Sequence, residues 1–71
     1  MKGALQGMTV EEIYHKVDKT KEHWSIWVFS ADGMEQAYTN DYYKFDAVSK
    51  EIKESEVDVI TIGSGSLFLK I

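Results

Sequence analysis

The sequence predicts an α+β domain: a four-stranded antiparallel sheet with two helices on one face, in the order α-β-β-α-β-β. Three observations predict it. A helix start signal at Thr9 opens an amphipathic stretch. Two β-branched and aromatic segments fold back on themselves, around Asp32-Gly33 and around Gly63-Ser64-Gly65-Ser66. A second amphipathic stretch lies between them. The helix–hairpin plan thus occurs twice, at an offset of 32 positions that matches Asp32-Gly33 with Ser64-Gly65 and Lys21-Glu22 with Lys53-Glu54. The other residues differ, so the repeat is one of architecture and not of sequence.

The first helix begins with Thr9-x-x-Glu12, a capping box in which each side chain satisfies the other residue's backbone amide. Met8 and Ile13 have the spacing of a hydrophobic staple. Val10, Ile13, Tyr14 and Val17 form one apolar stripe, and the helix is expected to end near Lys19 or Thr20.

Residues 24–30 read as a strand. Asp32-Gly33 is a two-residue type I′ turn signal, which sets Ala31 against Met34, Phe29 against Gln36, Val28 against Ala37, Trp27 against Tyr38 and Ile26 against Thr39. One face of this hairpin then carries Trp27, Phe29, Met34 and Tyr38. The other carries Trp24, Ile26, Val28 and Ala37. Both faces are apolar, so a cover is expected on each.

The second helix is expected to start at Thr39-Asn40-Asp41 and end near Glu54-Ser55. Tyr42, Phe45, Val48, Ser49 and Ile52 lie on one side, and Asp46, Lys50 and Glu54 on the other. Two strands follow, Val57–Ile62 and Leu67–Ile71. A turn at Ser64-Gly65 pairs Ile62 with Leu67, Thr61 with Phe68 and Ile60 with Leu69. Ile60, Ile62, Leu67, Leu69 and Ile71 make the core face, and Val59, Thr61, Phe68 and Lys70 the other.

Seventy-one residues make one domain, spanning 8–71, with residues 1–7 a flexible tail or a cloning remnant. A domain this small has a stability of roughly 3–5 kcal/mol. The chain has no cysteine, so apolar packing or self-association must supply that stability. No apolar run approaches the roughly 20 residues that span a bilayer, and residues 1–7 lack a signal peptide's apolar region. A cytoplasmic location with no membrane contact is expected.

The net charge is −4 and arginine is absent, which argues against nucleic-acid binding. Glu11 and His15 have a two-ligand helical spacing, but no further ligand is placed beside them. Glu11-Glu12 and Asp32 are explained by capping and turn chemistry. Gly63–Ser66 joins two strands instead of opening a helix, so it reads as a turn and not as a phosphate loop. No catalytic residue, metal or cofactor is predicted.

The remaining cluster is aromatic. Trp27, Phe29, Met34 and Tyr38, with Tyr43, form the candidate protein-binding surface, since tryptophan and tyrosine anchor interfaces. The expected function is a small non-enzymatic interaction module, an adaptor or inhibitor that binds a protein partner or forms a homodimer. A phage or mobile-element origin suits its size. The alternative is an acidic mimic of nucleic acid that inhibits a DNA- or RNA-binding protein. It rests on the six acids between Asp41 and Asp58, which Lys44, Lys50 and Lys53 interrupt.

Overall fold

The structure is a computed structural model that describes residues 7–20 and 23–71. Residues 1–6 of the expected tail and the Lys21-Glu22 half of the repeat match lie outside the described residues. The elements are α1 (Val10–Lys16), β1 (Ser25–Phe29), β2 (Glu35–Thr39), a 3-10 turn (Phe45–Ala47), α2 (Lys50–Lys53), β3 (Val59–Ile62) and β4 (Ser66–Lys70). Among the described residues no helix is long and apolar enough to cross a membrane.

The capping box forms. The Glu12 amide donates to Thr9 Oγ1 at 3.1 Å, and the Thr9 amide donates to Glu12 Oε1 at 3.0 Å. α1 stops at Lys16, short of the expected end, because Val17 turns extended (φ −75°, ψ 136°). Side chains then satisfy the groups that a longer helix would have bonded. The Lys19 ammonium donates to the carbonyls of Tyr14 and Val17, and Asp18 accepts from the Thr20 amide and hydroxyl. Such local bonds compete with helix propagation.

The first hairpin has the expected register at Ile26–Thr39, Trp27–Tyr38 and Val28–Ala37. A bulge between Val28 and Phe29 then sets Phe29 against Glu35 instead of Gln36. The cause lies in the turn. Gly33 alone in the loop has positive φ, 90°. Its amide bonds to the Ser30 carbonyl, and the Ser30 amide to the Met34 carbonyl, both at 2.9 Å. The loop is therefore the three residues Ala31-Asp32-Gly33, a turn closed by a glycine bulge and not a type I′ turn. The Asp32 carboxylate holds this shape by accepting from the Ser30 hydroxyl and the Met34 amide.

The expected second helix is broken into pieces. The Asn40 side-chain oxygen accepts from the amides of Tyr42 and Tyr43, and the Thr39 hydroxyl donates to the Tyr43 carbonyl at 2.7 Å. These bonds make a turn where a first helical turn was expected. Val48 is extended (φ −73°, ψ 136°), and Ser49 then caps the four-residue α2 by accepting from the Ile52 amide. Phe45 is buried, and Val48 and Ile52 pack on the same core. Of the expected inward side, Tyr42 is instead 86% exposed and Ser49 is exposed, because the turn at Asn40 and the break at Val48 take both off the helical face; the chain between Phe45 and Ile52 is not one helix.

The sheet is mixed rather than antiparallel, with strand order β2-β1-β4-β3 and β1 parallel to β4. Residues 40–58 carry the chain from the β2 edge to the opposite edge, where β3 enters, and β4 returns beside β1. The expected register of the second hairpin holds throughout, with Ile60–Leu69, Thr61–Phe68 and Ile62–Leu67 paired. Gly65, at φ 74°, permits its two-residue turn. The arrangement puts β1, which is apolar on both faces, in the centre beside β4, and Ile26 and Leu69 are fully buried there. It also makes the two helix–hairpin units inequivalent, since β1 is central and its counterpart β3 is an edge.

Val10, Ile13, Trp24, Ile26, Val28, Phe45, Val57 and Leu69 form the buried core. Two bonds tie the start of α1 to the approach to β3. The Val10 amide donates to the Ser55 carbonyl at 3.0 Å, and the Val57 amide to the Met8 carbonyl at 2.8 Å.

Candidate aromatic interface

In a strand successive side chains point to opposite faces. Burial of Ile26 and Val28 in β1 therefore sends Trp27 and Phe29 to the far side of the sheet. The register extends that side across three strands: Tyr38 of β2 lies opposite Trp27, and so does Phe68 of β4. The rings touch in a row. Trp27 and Tyr38 have centroids 4.2 Å apart, and Tyr38 and Tyr43 are 5.6 Å apart. Trp27 and Phe29 lie 6.4 Å apart and nearly parallel, and Phe29 and Phe68 are 6.5 Å apart.

Trp27, Phe29, Tyr38 and Phe68 are half-buried, and Tyr43 is 64% exposed. Both helices pack on the Ile26–Leu69 side, and α2 meets the row only at its Tyr38–Tyr43 end, where Ile52 lines a small pocket with those two rings. The Tyr38 hydroxyl is oriented by the Asn40 side-chain amide, which donates to it at 2.8 Å. The same Asn40 fixes the backbone of Tyr43, so one polar residue positions two of the rings. Lys70 pairs beside Phe29 on β4, and Glu35 beside it on β2, giving the row a charged border of both signs.

Of the expected surface, Trp27, Phe29, Tyr38 and Tyr43 are brought together. Met34 is not in the ring row; it lies at the hairpin turn, 63% exposed. Phe68 belongs to the row and was not singled out from the sequence. Its place on the non-core face of its own hairpin was readable, but its contact with Phe29 was not, because that contact depends on the β1–β4 pairing.

The other features are placed as follows. Glu11 and His15 are exposed on α1, and among the described residues no three metal-ligating side chains converge. On the helix side a groove of 490 Å³ runs between α1 and the β3–β4 turn, lined by Met8, Ile13, Val17, Ile60, Ile62 and Leu67 among others.

Comparison of the chain with protein-family models, curated proteins and solved structures finds no significant match. The chemistry of the surface itself is therefore the guide to function.

Proposed function

We propose that this chain is a non-catalytic interaction module that binds a protein partner, as an adaptor or inhibitor, through the ring row Tyr43–Tyr38–Trp27–Phe29–Phe68. One observation carries this reading: four aromatic rings on the sheet face opposite the helix-packed core, with Tyr43 of the following loop beside them, run in one line of ring contacts. A contiguous apolar patch of this kind marks an interaction site more often than chance exposure does. Rings presented from strands are rigid, so docking on them costs little side-chain entropy, and tryptophan and tyrosine supply the largest contributions at interfaces. The mixed charge at the border suits a protein surface better than a polyanion.

The test is affinity capture from a lysate of the source cell, read by mass spectrometry, with Trp27→Ala, Phe68→Ala and Tyr43→Ala beside the parent chain. The expected result is a discrete protein held by the parent and lost with all three variants, while circular dichroism shows them folded. Tyr43 is exposed enough for its variant to fold even if Trp27→Ala does not. A captured protein retained equally by folded Phe68→Ala and Tyr43→Ala overturns the assignment of the surface.

A further inference from the structure

The two edges of the sheet are treated differently. β2 carries Glu35 and Gln36 and is bent by the bulge at Val28/Phe29, and charge and bulges are the usual protections of an edge strand. β3 is Val59-Ile60-Thr61-Ile62, with no charge, glycine or proline. Val59 is 45% and Ile62 76% exposed, and no strand among the described residues pairs with its outer side.

The backbone of β3 is also oriented for pairing. Gly63 and Ser66 exchange amide–carbonyl bonds across the turn. Hydrogen-bonded pairs alternate in an antiparallel ladder, so Thr61 directs its backbone groups to Phe68. Ile60 and Ile62 then direct theirs to the open edge.

We infer that β3 pairs antiparallel with β3 of a second copy about a two-fold axis through Thr61, joining two four-stranded sheets into one. The inference rests on the edge alone and is independent of the reading of the aromatic face. A two-fold perpendicular to the sheet keeps both copies' helices on one side, so residues of the same face must lie opposite each other. Any residue-centred axis satisfies this, and the two inner residues, Ile60 and Thr61, are the centres that keep most of the strand paired. A centre at Ile60 sets Ile62 against Asp58 and requires the Asp58 amide at the open edge, but that amide is donated to the Lys70 carbonyl at 2.7 Å. A centre at Thr61 sets Ile60 against Ile62 of the second copy in a hydrogen-bonded pair, Thr61 against Thr61, and Val59 against Gly63.

This register is self-complementary in backbone bonds, in apolar side chains and in its lack of charge. It gives each Ile62 an apolar neighbour and sets the two helix-side grooves, both floored by Ile60 and Ile62, side by side across the axis. The two aromatic faces remain open and point the same way, so the dimer would be bivalent. An extended peptide from another protein could use the same edge, but it would not explain the match of β3 to itself.

Because the chain has no cysteine, a single introduced thiol reports the register. Thr61 pairs across the axis as a non-hydrogen-bonded pair, about 4.5 Å between Cα atoms, within disulfide range. Two copies of residue 59 are about 14 Å apart at 3.4 Å per residue, beyond it. Sedimentation velocity from micromolar to millimolar concentration should show a dimer of the parent chain. Oxidation should cross-link Thr61→Cys and leave Val59→Cys unlinked. Ile62→Lys should abolish the dimer without changing the circular dichroism spectrum. A monomer throughout that range overturns the inference and leaves the edge to another protein. So does a dimer that survives Ile62→Lys, or one that cross-links at 59 and not at 61.

Discussion

The ring of Phe45 lies flat on the ring of Tyr14, with centroids 4.0 Å apart and planes 6° from parallel. This stack joins α1 to the 3-10 turn, and it accounts for the broken second helical segment: Phe45 must reach Tyr14 while the chain crosses between sheet edges. The Lys53 ammonium lies over the Phe45 ring at 5.0 Å, and that of Lys19 over the Tyr14 ring at 4.0 Å.

Phe45 is 6% exposed, and truncating a buried phenylalanine to alanine costs about 3–5 kcal/mol. That equals the whole stability of a domain this small, roughly 3–5 kcal/mol. Phe45→Ala is therefore expected to be unfolded at room temperature. Phe45→Leu is expected to retain a cooperative but lowered thermal transition. Circular dichroism melts of both check this.

His23 stands in the left-handed region with φ of 59°, immediately before the buried Trp24. A β-carbon costs about 1–2 kcal/mol there, and a β-branched side chain is worse. His23→Gly is expected to hold or raise the melting temperature, whereas His23→Val should lower it by several degrees. Equal melting temperatures for the two variants would contradict a strained position.

The Asp32 carboxyl is held below the usual aspartate range, first by the Ser30 hydroxyl and then by the Met34 amide. A folded-state pKa below the unfolded one contributes stability above the unfolded value. That contribution disappears as pH falls through the folded value. Carboxyl NMR titration should place the Asp32 midpoint below the usual aspartate range. Ser30→Ala should move it up. Loss of stability on acidification should be shallower in Asp32→Asn than in the parent.

The two tryptophans lie on opposite faces of one strand segment. Trp24 is 5% exposed, with Nε1 donating to Asp41 Oδ1 at 2.7 Å, whereas Trp27 is half-buried in the open ring row. Acrylamide is expected to quench the Trp24→Phe variant, which retains Trp27, several-fold more steeply than the Trp27→Phe variant. Equal quenching would mean that something covers the aromatic face.

Local chemistry was legible wherever a feature depends on residues close in sequence. The Thr9–Glu12 box, the Ser64-Gly65 turn and the registers of Trp27–Tyr38 and Ile60–Leu69 need only neighbours a few positions apart or a tight turn between them. The extent of helix was not legible. The periodicity of Phe45, Val48 and Ile52 marks an inward face, but Asn40 and Ser49 bond their own backbone and interrupt the helix that periodicity alone would draw. Likewise Asp32-Gly33 announces a turn, while the carboxylate bonds to Ser30 and Met34 decide that the loop has three residues.

By itself, then, the sequence determined that this is a small α+β chain with two hairpins and that Trp27, Phe29 and Tyr38 share a face; of the inward positions it marked, Leu69 and Phe45 are buried while Ile62 and Tyr42 are 76% and 86% exposed. Tertiary structure alone decided that β4 lies parallel to β1. Strand order is a choice among pairings whose local hydrogen bonds are nearly equivalent, settled by how much apolar surface each leaves exposed. Here β1, apolar on both faces, goes to the centre. That choice brings Phe68 to the ring row, leaves β3 open at the edge, and makes two similar halves into unlike parts of one sheet.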